Sequence, residues 1–121
     1  MNPFQMVKEF HQKYDCAINE PFTNLGLALR HDLIEEEFNE VNDEMFSYNR
    51  IPICKQQLTK ELADLIYVTI GTAVAFGLPL EEVFTEVHNS NMTKTLDNKR
   101  EDGKILKGPD YKKPNLEQFF A

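Results

Sequence analysis

LIYVTIGTAVAFGLPL, residues 65–80, runs without one charged side chain. A membrane span needs about 20 apolar residues, and Thr69, Gly71, Thr72, Gly77 and Pro79 interrupt this stretch, so it reads as a buried helix. Upstream, CKQQLTKELAD extends the same helix back to a start around residues 54–58. Phe76 is its last residue: Gly77 supplies the stop and Pro79 forbids continuation. The second half of this helix is apolar on every side and must be covered on every side. A chain of 121 residues has few other helices with which to cover it. The expectation is an all-α bundle of four main helices completed by homo-oligomerisation, with an irregular C-terminal arm.

Working outward, the spacing predicts three more helices. Residues 2–15 place Phe4, Val7, Phe10 and Tyr14 three, three and four apart, the stripe of an amphipathic helix. NEPFTN breaks it. Residues 25–48 carry Leu29, Leu33, Val41 and Met45 on a common side with acids interspersed, until Asn49, Arg50 and Pro52 end the pattern. A fourth helix follows Pro79, with Glu81 and Glu82 in its first turn where the helix dipole favours acids, and ends between residues 92 and 96. Beyond it, LDNKREDGKILKGPDYKKPNLEQFFA has no sustained period and reads as an ordered arm or a lid.

Composition bounds the function. Length and the absence of repeats give one domain, residues 1–121. With 13 Lys+Arg against 20 Asp+Glu the net charge is -7, which repels polyanions unless metal ions or a local basic cluster intervene, so general nucleic-acid binding is not expected. Cys16 and Cys54 are too few for a disulfide framework or a four-cysteine zinc site and fit a reducing cytoplasm. The first residues, MNPFQMVKEFHQKY, lack the apolar run of a secretory signal, and no membrane association is expected.

The acids are patterned. LIEEEFNEV holds Glu36, Glu37 and Glu40, and KELADLIY holds Glu61 and Asp64. Positions three apart lie roughly 60° apart around a helix, so Glu37 and Glu40 project together, as do Glu61 and Asp64. Leu33 and Val41 flank the first pair and Leu62 and Leu65 the second, which sets both at the edge of the helix interface. Four carboxylates meeting there repel strongly unless neutralised, and a divalent metal is the natural solution. All the donors are oxygens, which selects Mg²⁺ or Mn²⁺ over zinc or copper. A solvated Glu-rich face is the alternative. A di-iron carboxylate bundle needs Glu-x-x-His pairs, and His11, His31 and His88 follow Lys8, Ala28 and Thr85 instead.

EExxE (Glu36, Glu37, Glu40), a helix-length gap and ExxD (Glu61, Asp64), followed by VHNSNMTK and DGKILKGPDY, resemble the all-α nucleoside triphosphate pyrophosphatase superfamily of MazG-like and phosphoribosyl-ATP-pyrophosphohydrolase-like proteins. The resemblance spans about residues 25–111. It implies hydrolysis between the α- and β-phosphates of a nucleoside triphosphate, a dNTP foremost, to the monophosphate and pyrophosphate. Carried over, Glu37, Glu40, Glu61 and Asp64 are the Mg²⁺ ligands, and Glu36 either extends the cluster or orients and deprotonates the attacking water. A homodimer or homotetramer is implied. The alternatives are a phosphoribosyl-ATP pyrophosphohydrolase, or an idle helical module that binds metal or a partner. The chain has no Trp, whereas dCTP-preferring relatives use tryptophans around the base.

Substrate contacts are sought among the cations and the tail. Arg30 lies two turns before Glu37 on the same helical face, where it is either a clamp for the triphosphate or an ordinary surface Arg. Asn91 and Lys94 share a face where the resembling families contribute nucleotide contacts; the alternative is helix capping and dipole compensation. Lys104, Lys107, Asp110 and Tyr111 sit in the glycine-bounded tail, suited to closing over a nucleotide or else simply solvated. Tyr67, one turn after Asp64, abuts sugar or base or is a core aromatic. His31 and His88 are given no catalytic role.

Overall fold

A computed structural model describes residues 1–46, 53–95 and 99–120. These hold four α-helices, α1 (Pro3–Lys13), α2 (Asn24–Met45), α3 (Lys55–Phe76) and α4 (Leu80–Asn91), followed by one 3-10 turn (Glu117–Phe119). The only extended pairing among them is an isolated antiparallel bridge between Lys99 and Ile105. The fold is all-α, as the periodicity required. The helix ends expected at Tyr48 and Leu96, and the stop at Asn49, Arg50 and Pro52, lie outside the described residues. No helix among the described residues is long and apolar enough to cross a membrane.

The chain has two compact units, Met1–Leu78 and Pro79–Ala121. In the first, the starts of α1 and α2 have a physical cause. Asn2 caps α1: its Oδ1 accepts from the Gln5 N–H at 2.9 Å while Gln5 Oε1 accepts from the Asn2 N–H at 2.8 Å. Pro3 occupies the first helical position, where no donor is needed. Thr23 Oγ1 caps α2 by accepting from the Gly26 N–H at 3.0 Å.

α3 ends in a Schellman turn, the Leu78 N–H reaching the Ala73 carbonyl at 2.8 Å and the Gly77 N–H the Val74 carbonyl at 3.4 Å. The α1–α2 connection docks on the same terminus: the Asn19 and Glu20 N–H groups donate to the carbonyls of Val74 and Ala75 at 3.0 and 2.8 Å. The last carbonyls of α3 are thereby satisfied by a distant segment. Gly77 sits at φ 65°, and a Cβ there would lie 2.8 Å from Asn19 Oδ1. We therefore expect Gly77→Ala to cost about 1–2 kcal/mol, the penalty of left-handed backbone plus displacement of Asn19. Thermal unfolding at equal buffer composition checks this; an unchanged midpoint contradicts it.

Both α1 and α2 pack on α3. The buried apolar core is Val7 of α1, Val41 of α2 and Ile70, Ala73 and Ala75 of α3. Small residues on α3 let its neighbours approach closely. The expected α2 stripe is buried only at Val41 and half-buried at Leu33, while Leu29 and Met45 are exposed. Likewise the apolar half of α3 is not covered all round, Ile66 being 57% exposed. Within the first unit this 22-residue helix has α1 and α2 to pack on it and keeps an open side.

In the second unit the tail is tied to α4. Ser90 Oγ donates to the Lys112 carbonyl at 2.6 Å and Thr93 Oγ1 accepts from the Lys112 N–H at 2.8 Å. Glu86 Oε1 accepts from the Asn115 N–H at 2.8 Å. Residues 99–105 form a turn stapled by Arg100, whose guanidinium grips both Asp102 carboxylate oxygens at 3.0 and 2.6 Å. The described part of the arm, residues 99–120, is thus held by side-chain hydrogen bonds rather than by periodic structure.

Candidate metal centre

α2 and α3 run antiparallel, since Gly26 lies against Phe76, Arg30 against Thr72 and Glu37 beside Asp64. That register brings the two acidic pairs to one level of the interface. Carboxylate oxygens of Glu37, Glu61 and Asp64 all lie within 4.8 Å of one another. Glu61 is 2% exposed, Glu37 and Asp64 are half-buried, and Glu40 is exposed beside them. Glu36 is exposed and is not one of the three converging carboxylates.

The electrostatics show the strain of this gathering. Burial, then the charges of Asp64, Glu40 and Glu61, hold the Glu37 carboxyl above its ordinary value. The Glu61 charge is the first cause that raises Glu40. Lys60 relieves part of the repulsion, its Nζ lying 2.8 Å from Asp64 Oδ2 and 3.6 Å from Glu61 Oε1. Gln57 Nε2 donates to Glu61 Oε1 at 2.5 Å and fixes that side chain. Its other oxygen, Oε2, is buried without a hydrogen-bond partner among the described residues.

A buried carboxylate oxygen left unpaired is costly, and a cation among the three acids would satisfy it. The donors are all hard oxygens, they converge from two rigid helices, and their charge exceeds what one lysine offsets. The residues present therefore fit a divalent ion of the Mg²⁺ or Mn²⁺ kind.

Other residues singled out in the sequence fall in two places. Arg30 is half-buried on α2, with Nε donating to Thr72 Oγ1 at 3.1 Å and Nη2 to the Val68 carbonyl at 2.8 Å. Tyr67 packs edge-on against Phe10, ring centroids 5.6 Å apart. In the second unit, Asn91 is the exposed last residue of α4 and its carbonyl accepts from the Lys94 N–H at 3.1 Å. Lys107 Nζ stands 4.9 Å from the Tyr111 ring centroid. Lys104 and Asp110 are exposed.

Sequence reasoning passed over Gln57 and Lys60, although each lies four residues before an acid it contacts, the spacing that pairs side chains on a helix. It also passed over His11, which is 4% exposed. Its position four after Val7, on the stripe that faces α3, carried that signal.

Residues 6–91 match the family model described as Phosphoribosyl-ATP pyrophosphohydrolase. No curated protein matches the chain.

Proposed function

The chain belongs to the phosphoribosyl-ATP pyrophosphohydrolase family, within the all-α nucleoside triphosphate pyrophosphatase superfamily, and from that premise we propose that it hydrolyses a nucleoside triphosphate. The substrate we favour is a dNTP, cut between the α- and β-phosphates to the monophosphate and pyrophosphate with Mg²⁺ or Mn²⁺. The family makes the chain a hydrolase of acid anhydrides acting on a nucleotide. The observation that carries the finer reading is the convergence of Glu37, Glu61 and Asp64, together with the buried, unpartnered Oε2 of Glu61. The match crosses the boundary between the two units, which supports reading residues 1–121 as one functional domain.

In this reading Glu37, Glu61 and Asp64 hold the metal, and Glu40 completes the set from the solvent side. A divalent cation held by these carboxylates would offset the charge of the substrate phosphates and supply an activated water. Gln57 keeps Glu61 aimed into the cluster. Glu36, exposed on α2, either extends the metal set or orients the attacking water and accepts its proton. Arg30, Asn91, Lys94, Lys107 and Tyr111 are the substrate-binding residues. A homo-oligomer of two or four copies is supported by the apolar surface left on the first unit. Leu25 is 86% exposed, and Leu29 and Phe38 of α2 and Ile66 of α3 are exposed with it.

A second reading, phosphoribosyl-ATP as the substrate, is favoured by the description of the matching family. Pyrophosphate release from a panel of NTPs, dNTPs and phosphoribosyl-ATP, with Mg²⁺, Mn²⁺ or a chelator, separates the two. The dNTP reading expects metal-dependent release from at least one dNTP. Release from phosphoribosyl-ATP alone favours the second, and binding of metal with no release from any compound leaves the idle module.

A further inference from the structure

The first unit contains a cavity of about 590 Å³, within the range that encloses small molecules. Phe10, Tyr67 and Phe76 supply flat aromatic walls, and Leu33 closes one side. In this mainly apolar lining, which also includes Cys16, Glu20 and Thr23, two nitrogen groups stand out, Arg30 and His11. The mechanism above uses neither the cavity nor His11.

The chemistry of each group is fixed by its partners. His11 Nδ1 lies 2.8 Å from the Ala17 carbonyl oxygen. A carbonyl only accepts, so Nδ1 carries the proton and, in the neutral ring, Nε2 is an acceptor. Arg30 spends Nε on Thr72 and one Nη2 hydrogen on Val68. Its Nη1 hydrogens bond no described residue, and the guanidinium makes no ion pair among them. The two groups are neighbours across Gly71, where a Cβ would lie 2.5 Å from Arg30 Nη2 and 3.1 Å from His11 Nε2. A donor and an acceptor thus stand side by side in an apolar, aromatic pocket.

The pocket lies next to the carboxylates. Leu33 is one turn before Glu37, and Tyr67 and Val68 are one turn after Asp64, so its near wall is about 5.4 Å along the helices from the acids. Arg30 and Glu37, seven residues apart, are separated by about 10 Å along α2, the scale of a nucleoside between its phosphate and the far edge of its base.

We infer that this cavity takes the base of the nucleotide and selects bases that present a carbonyl beside a ring N–H. Arg30 donates to the carbonyl and His11 Nε2 accepts from the N–H. Uracil, thymine, hypoxanthine and guanine carry that edge. Cytosine and adenine present an amino group beside a bare ring nitrogen, which sets donor against donor and acceptor against acceptor and leaves buried groups unpaired. The inference rests on the pyrophosphohydrolase reading for the orientation of the nucleotide. It moves Arg30 from the triphosphate to the base, because its guanidinium is held inside the cavity.

Two measurements keep the inference and that reading apart. Calorimetric titration of the intact protein with dUMP and with dCMP, in Mg²⁺, reads base preference without turnover. Pyrophosphate release from dUTP, dTTP and dITP against dCTP and dATP reads it with turnover. We expect dUMP to bind at least about 10-fold tighter than dCMP, since a mispaired buried edge costs a tenfold or more. Arg30→Met and His11→Phe should each bring that ratio within about threefold of unity. Equal affinities in the wild-type protein, or a preference for dCMP, overturn the inference whether or not either variant folds. Loss of turnover by Arg30→Met in equal proportion on every base also overturns it, returning Arg30 to the phosphates. Preferential dUMP binding with no pyrophosphate release leaves the base pocket standing and fells the catalytic reading alone.

Discussion

Glu61→Gln lowers metal-dependent pyrophosphate release by at least about 100-fold and, without metal, raises the unfolding midpoint. The loss of activity follows from position. Residues that merely support metal ligands cost 10–100-fold when changed, and Glu61 presents its own buried oxygen to the cluster. The gain in stability follows from charge. Glutamine keeps the shape and the oxygen that accepts from Gln57, while removing the negative charge that raises Glu40 and contributes to raising Glu37. The sign with pH is fixed by the direction of those shifts. Raised folded-state values mean that Glu37 and Glu40 contribute stability that is fully present below their unfolded values and is lost as pH rises through the folded ones. In the wild-type protein without metal this loss appears across the mildly acidic range, and Glu61→Gln flattens it. Added Mg²⁺ or Mn²⁺ should raise the wild-type midpoint and leave that of the variant nearly unmoved. A variant that turns over as the wild type does, or that still gains the full metal-induced shift, contradicts the assignment.

Ile70→Asp is expected to have the opposite profile, ruining the fold without touching the site. Ile70 is 5% exposed in the C-terminal half of α3 and belongs to the small buried core of the first unit. Replacing it forfeits apolar contacts and buries a carboxyl with no partner, a combination that costs about 4 kcal/mol or more. Against a net stability of about 5–15 kcal/mol, that removes much of the margin. The unfolding midpoint should fall by roughly 15 °C or the transition lose cooperativity. Ile70→Val, which keeps the apolar surface, should cost only about 0.5–1.5 kcal/mol. A stable Ile70→Asp protein would mean that this face of α3 is not the core of the first unit.

The helices were legible because each carries its own punctuation. Asn2–Pro3 starts α1, Gly77 stops α3, and Pro79 followed by Glu81 and Glu82 starts α4. The acidic pairs were legible because a spacing of three repeats on two helices, and that local rule predicts which side chains share a face. What local spacing could not show is the register of α2 against α3. That register joins Glu37 to Glu61 and Asp64 and leaves Glu36 exposed outside the cluster. Nor did it show the fate of Arg30, which is on the right helix but is turned to Thr72 and Val68 by contacts some forty residues distant. His11 was missed for the same reason. Its burial depends on a connection that folds back to offer the Ala17 carbonyl. α3 keeps an open side at Ile66, where the sequence pattern requires cover.

The central claim is that the Glu37, Glu61 and Asp64 cluster is a divalent-metal centre that cleaves a nucleotide between its α- and β-phosphates. Phosphorus NMR of the products formed from a dNTP that the panel identifies, with Mg²⁺ and then with chelator, tests it most directly, with Glu61→Gln run alongside. The account predicts monophosphate and pyrophosphate in equal amounts, formed only with metal and only by the wild-type protein. Diphosphate with orthophosphate, or the same products in chelator or from Glu61→Gln, would contradict it.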